Sequence, residues 1–75
     1  MDKDDVIKKE ILDLLLHYFG EKVSSSYYHG YAEETLPIYI HNAFSLLISQ
    51  IGQEKSKLEI DKILVKYSLG SIKYE

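Results

Sequence analysis

The fold of this chain is decided near its beginning, where residues 5–20 read DVIKKEILDLLLHYFG. Apolar residues recur there at intervals of three and four, which is the spacing of one face of an α-helix. Acidic residues before this stretch suit the start of a helix, and Gly20 stands where a left-handed C-terminal cap belongs. The pattern predicts a first helix over residues 4–19, with these inward-facing residues: Ile7, Ile11, Leu14, Leu15 and Tyr18.

A second apolar stripe lies beside the first on the same predicted helix. It consists of Leu12, Leu16 and Phe19. Two adjacent stripes make an apolar face that is wider than one neighbouring helix covers. We therefore expect these three side chains to form a self-association surface, so that a second copy of the chain completes the fold as a homodimer.

A second helix is predicted over residues 36–51. Thr35 can cap its first turn, and Pro37 is tolerated there because the first amide groups of a helix need no intrahelical partner. Gly52 marks its end. The intervening segment, residues 21–34, is rich in serine and tyrosine and is predicted to be a connection. The alternatives are a short helical turn that starts at one of the serines, and a second helix that begins early, near Tyr31, with Pro37 bending it.

A third helix is predicted over residues 57–69. Ser56 and Glu59 have the spacing of a capping box, in which each side chain bonds an amide group of the other. Gly70 is the next stop signal, and the following residues 71–75 are too few to fold by themselves. No sequence repeat is evident. The chain is therefore predicted to be a single all-α domain over residues 1–75, a three-helix bundle completed by homodimerisation.

Composition limits the classes of function that the chain can have. It has 75 residues, no cysteine and a net charge of −3. A core of this size rarely supplies more than roughly 3–5 kcal/mol, which favours support from oligomerisation. No apolar run approaches the roughly 20 residues of a membrane span, and the acidic N-terminal residues are unlike a signal peptide. We expect a cytoplasmic protein that does not contact a membrane.

Aromatic residues are concentrated in the predicted connection. Tyr27, Tyr28 and Tyr31 lie there together with His29. Tyrosine combines a large apolar area with a polar group and few rotatable bonds, and is therefore enriched at binding hot spots. The four residues are predicted to bind a protein partner, the alternative being that the tyrosines pack over the open end of the bundle.

Residues that could carry catalysis are not grouped in the sequence. His17, His29 and His41 fall on different predicted segments, without the close spacing of metal-binding histidines. The serines lie outside any nucleophile elbow, and no glycine-rich phosphate-binding loop is present. The sequence predicts neither catalytic residues nor a cofactor or metal, and therefore no enzyme.

Lysines on the predicted third helix support one other class of function. They are Lys55, Lys57, Lys62 and Lys66, with Lys73 beyond. Acidic residues interleave with them, as on a solvated helix face, and the whole sequence lacks the arginine that reads guanine. A small dimeric nucleic-acid-binding regulator is the alternative. The favoured interpretation is a non-enzymatic regulatory or adaptor module, which acts as a helical homo-oligomer and binds another protein.

Overall fold

The computed structural model describes residues 3–67, which fold into four α-helices without a strand. They are α1 (Lys3–Phe19), α2 (Glu21–Tyr31), α3 (Leu36–Ile51) and α4 (Gln53–Lys66). Helix α1 packs against each of the other three, and α3 also packs against α4. None of these four helices combines the length and the apolar character needed to cross a membrane.

The core is centred on the inward face of α1. Ile7, Ile11 and Leu15 have no exposed surface, and they recur every four residues as the sequence pattern predicts. The other helices contribute the remaining buried apolar residues: Tyr27, Tyr39, Ile40, Ala43, Phe44, Leu47, Ile60 and Leu64. One helix therefore supplies the surface on which the other three assemble.

The predicted all-α class is confirmed, but the predicted number of helices is wrong. Helix α2 occupies most of the segment 21–34, which the sequence predicts to be a connection. Its serines are compatible with a helix because Ser24 is buried against the core and its hydroxyl donates to the Glu21 carbonyl oxygen at 3.4 Å. Tertiary burial thus overrides the weak helix propensity of the serine run.

The start of the last helix also differs from the prediction. Helix α4 begins at Gln53, immediately after Gly52, so Ser56 lies inside the helix and does not cap it. The Ser56 hydroxyl instead donates to the Gly52 carbonyl oxygen at 2.5 Å and is fully buried. Helix α4 ends at Lys66, with Tyr67 as its C-cap. The remainder of the predicted helix 57–69, Gly70 and residues 71–75 lie outside the described residues.

Two glycines each join a pair of helices through a single residue. Gly20 has φ 86° and ψ 174°, and Gly52 has φ 86° and ψ 164°. Only glycine adopts this region of backbone space without strain. The Gly20 amide donates to the Leu16 carbonyl oxygen at 2.9 Å, which closes α1 while α2 begins at the next residue. The glycines are helix ends, as predicted, but the chain re-enters a helix at once.

The two halves of the molecule have the same plan of helix, glycine and helix. Four pairs of positions at equal distances from the two glycines are buried in both halves: Ile7 and Tyr39, Ile11 and Ala43, Leu15 and Leu47, and Ser24 and Ser56. The sequence conceals this relation because few of the paired residues are identical. The described chain therefore consists of two helix–glycine–helix units, α1–α2 and α3–α4, and α1 packs against both helices of the second unit.

We predict that Gly20→Ala destabilises the protein by roughly 1–3 kcal/mol, because a side chain at this backbone geometry is strained. The added methyl group meets no atom within 4 Å, so the loss reports backbone strain alone. Gly30→Ala is the matched control. Gly30 lies inside α2 with equally open surroundings, and alanine there is expected to stabilise by about 0.5–1 kcal/mol. Chemical denaturation followed by circular dichroism measures both, and equal stabilities would contradict the prediction.

Candidate interaction surface

Tyr27 is part of the core rather than of the surface. Its ring lies edge-on to that of Tyr39, with centroids 5.1 Å apart, and 4.8 Å from the ring of Tyr31. Its hydroxyl donates to the backbone carbonyl oxygen of Tyr39. Burial raises the pKa of the Tyr27 hydroxyl well above its ordinary value. Tyr27 is therefore packed within the fold, which agrees with the packing alternative for the tyrosines rather than with partner binding.

Lys8 fixes the end of α2 against α1. Its ammonium group donates to the carbonyl oxygen of Ala32 at 3.0 Å and to that of Glu34. A cation is favourable at the C-terminal end of a helix, where carbonyl groups lack intrahelical partners. The same ammonium lies 5.5 Å from the centroid of the Tyr39 ring, and the Tyr39 hydroxyl donates to the Lys8 carbonyl oxygen at 3.3 Å. Lys8 of α1 thus contacts both the C-terminal end of α2 and Tyr39 of α3.

Tyr28 points outward, in contrast to the residue before it. Its side chain is 45% exposed, as is that of Leu16 on α1, and half-buried Leu12 lies between the two helices on the same side. Together they line a groove of about 330 Å³ whose other lining residues are Asp13, Glu21, Ser24 and Ser25. We call the surface formed by Leu12, Leu16 and Tyr28 the α1–α2 face.

A second groove continues the α1–α2 face in the opposite direction along α1. It has a volume of about 360 Å³ and shares Leu12 and Tyr28 with the first. Its charged lining residues are Asp5, Lys8 and Lys9. Charged residues therefore border the apolar centre in both grooves: Asp5, Lys8 and Lys9 in one, and Asp13 and Glu21 in the other.

The remaining predicted site residues lie elsewhere. Phe19 is half-buried and packs against the core at the end of α1. His29 lines a different groove, with Lys22 and Ser26 on α2. Tyr31 is 38% exposed but is packed against the ring of Tyr27. The structure thus brings together one tyrosine of the predicted partner surface and two leucines of the predicted self-association stripe.

The proximity of Tyr28 to Leu12 was missed because α2 was not predicted. A signal for that helix exists in the sequence: Ser24, Tyr27, Tyr28 and Tyr31 follow one another at helical spacing. Given a helix there, joined to α1 by one glycine, Tyr27 and Tyr28 necessarily occupy neighbouring but different faces. One then packs inward and the other lies beside α1.

Two of the four lysines of α4 are paired with carboxylates. Lys62 pairs with Glu59 at 2.9 Å, and Lys66 pairs with Glu10 of α1 at 3.1 Å. The hydroxyl of Tyr67 also donates to Glu10, and this bond, together with Lys66, lowers the pKa of the Glu10 carboxyl. The positive charges of Lys62 and Lys66 are thus balanced locally by carboxylates.

The three histidines lie on three different helices, with His17 on α1, His29 on α2 and His41 on α3. Within residues 3–67, no three histidine, aspartate or glutamate side chains are grouped closely enough to hold a metal ion. The α1–α2 face, with its exposed apolar centre, is the feature of the described surface best suited to binding.

Comparison with models of known protein families, with curated proteins and with solved structures found no match for this chain.

Alanine substitution is predicted to lower the stability of the fold greatly at Tyr27 and hardly at all at the adjacent Tyr28. Tyr27→Ala removes a buried ring and is expected to cost about 3–5 kcal/mol, as for other large-to-small core replacements. Tyr28→Ala removes an exposed ring and is expected to change the stability of the monomer by less than about 0.5 kcal/mol. Denaturant unfolding at a concentration where the chain is monomeric measures both. Equal losses in the two variants would contradict the assignment of inward and outward tyrosines.

The buried tyrosines also predict a loss of stability at alkaline pH. Burial raises the pKa of Tyr39 from 10.0 to about 12, and that of Tyr27 rises in the same direction. The folded state therefore holds these protons more tightly than the unfolded chain, so the free energy of unfolding falls as the pH rises above 10.

The measurement is a titration that follows phenolate absorbance and helical circular dichroism together. The two buried hydroxyls are expected to ionise only as helix content is lost, whereas all tyrosines of the denatured chain, which is the control, ionise near the ordinary value of 10.0. Complete tyrosine ionisation near that value with intact helices would contradict the burial of Tyr27 and Tyr39.

Proposed function

We propose that the protein is a non-enzymatic protein-interaction module, and that it self-associates through the α1–α2 face. The observation that carries this proposal is the concave apolar surface at which Leu16 and Tyr28, from different helices, are both 45% exposed. Apolar side chains grouped in this way, with polar residues around them, are typical of protein contact sites. Tyrosine adds a large contact area at a small cost in side-chain entropy.

The α1–α2 face is a better contact site than the exposed apolar residues of α4. Leu58 and Val65 are more exposed, at 59% and 63%, but they stand two turns apart on α4 with Lys62 between them, and the groove that Leu58 lines with Ile51 is otherwise formed by polar and charged residues and Gly52. Single apolar side chains of this kind are common on protein surfaces. A groove between two helices instead surrounds an inserted side chain on several sides, which increases the apolar area that is removed from water.

The alternative of a nucleic-acid-binding regulator has less support. Two of the α4 lysines are paired with carboxylates, and phosphate binding would have to displace Glu59 and Glu10 from them. The interaction module therefore remains the favoured function, and its binding energy comes from apolar burial rather than from counterion release.

We predict that Leu16→Glu dissociates the oligomer without unfolding the chain. The side chain is exposed, so a carboxylate is tolerated in the monomer, but its burial in an interface would be unfavourable. Val65→Glu is the matched control, since it places the same charge at an exposed apolar position on α4. Light scattering behind size-exclusion chromatography gives the mass, and circular dichroism gives the helix content.

The expected result is an oligomer for the parent chain and for Val65→Glu, and a helical monomer for Leu16→Glu. If the parent chain is monomeric over the whole micromolar range, or if Leu16→Glu retains the parent mass, the proposed use of the α1–α2 face is wrong.

A further inference from the structure

Helix α2 is the least buried helix of the described chain. Nine of its eleven residues are exposed, and the other two are Ser24 and Tyr27. The Ser24 hydroxyl bonds the Glu21 carbonyl oxygen within α2 itself, so Tyr27 is the only apolar residue that α2 contributes to the described core. The burial that holds this helix in place is therefore concentrated in one side chain.

The other three helices form a packed group without α2. Helix α1 packs against both α3 and α4, and α3 packs against α4. Apart from Tyr27, the buried apolar residues of the described core all lie on these three helices. Undocking of α2 therefore breaks its packing on α1 and the contacts of Tyr27 and Lys8, and leaves the rest of the core in place.

Helix α2 has little tendency to be helical by itself. It has eleven residues, whereas isolated helices shorter than about 12–15 residues are marginal in water. Its serine run 24–26 and Gly30 lower the helix propensity further. Loss of the docking contacts therefore also unfolds the helix, so that folding and docking of α2 are one event.

An unfolded segment 21–34 still connects α1 to α3. The docked helix is about 16 Å long at 1.5 Å per residue, whereas an extended chain of the same segment reaches up to about 46 Å. Neither α1 nor α3 has to move when the segment unfolds. The connectivity of the chain thus permits α2 to unfold alone.

We propose that α2 is a conditional helix. The segment 21–34 exchanges between a docked helix, which predominates, and an unfolded tether, while α1, α3 and α4 stay assembled. Two contacts hold the docked state. The Tyr27 hydroxyl donates to the Tyr39 carbonyl oxygen on α3, and the Lys8 ammonium group donates to the carbonyl oxygens of Ala32 and Glu34.

This exchange also controls the α1–α2 face. Tyr28 lines a groove with Leu12 and Leu16 while α2 is docked, and the groove is lost when the segment unfolds. A partner that contacts Tyr28 therefore binds the docked state, and its binding stabilises α2. This consequence rests on the proposed function, whereas the exchange itself does not.

The test is hydrogen exchange of the full chain, followed for individual amides by nuclear magnetic resonance at a concentration where the chain is monomeric. The amides of α2 are expected to exchange together, and about tenfold or more faster than the slowest amides of α1 and α3. The reason is that α2 amides exchange when one segment opens, whereas the slowest amides exchange when the whole fold opens.

Two conservative variants separate these two kinds of opening. Ile60→Val weakens packing on α4 that is present whether or not α2 is docked. It is expected to speed exchange of the slowest α1 and α3 amides about two- to tenfold and to leave the α2 amides unchanged. Tyr27→Phe removes a bond of the docked state alone, and is expected to speed exchange of both groups of amides by a similar factor.

Equal exchange rates in α2, α1 and α3, or an Ile60→Val variant that speeds exchange in α2 as much as in the other helices, would overturn the conditional helix. In either case α2 opens only with the whole fold. Exchange of the α2 amides at the rate of an unfolded chain would overturn it as well, because the docked helix would then not predominate.

Exchange at higher concentration distinguishes this inference from the proposed function. In an oligomer that Leu16→Glu dissociates, the α2 amides are expected to exchange more slowly than in the monomer. Equal rates would overturn control of the face by α2 and leave self-association through Leu16 standing. A chain that is monomeric throughout, but whose α2 exchanges as predicted, overturns the proposed function and supports the conditional helix.

Discussion

The structure depends on two glycine joints at which one helix ends and the next begins within a single residue. At φ 86° the chain turns without a loop, so α2 is laid directly on α1, and α4 on α3. This economy matters in a chain of 75 residues, because ordered loops cost conformational entropy and contribute little apolar burial. Since residues other than glycine are strained in this conformation, the packing of both units depends on these two positions.

The candidate interaction surface follows from the first of these joints. Once α2 lies against α1, Tyr27 enters the core and donates to the carbonyl oxygen of Tyr39, while Lys8 holds the end of the helix. Tyr28 is then left beside Leu12 and Leu16 on the outside. The contacts that stabilise the fold therefore also determine which apolar side chains remain exposed and available to another chain.

The sequence predicts α1 and α3 correctly because their apolar spacing is long, regular and ended by glycine. It fails at α2, where serines and a short length give a weak local signal that tertiary burial overrides. The sequence also mispredicts the role of Ser56. A serine that caps a helix and a buried serine one turn inside a helix have the same sequence pattern, and only the position of the helix start distinguishes them. Of the stripe that the sequence predicts to self-associate, Leu16 is exposed and Leu12 is half-buried, whereas Phe19 packs against the core. That Leu12 and Tyr28 line the same grooves could not be predicted without α2.

The central claim is that the α1–α2 face contacts a second copy of the chain. The most direct measurement is an isotope-filtered nuclear Overhauser experiment on a mixture of labelled and unlabelled protein, which detects only contacts between copies. The account predicts intermolecular signals between the methyl groups of Leu12 and Leu16 and the ring of Tyr28. Intermolecular signals confined to Leu58 and Val65 of α4, or none at millimolar concentration, would contradict it.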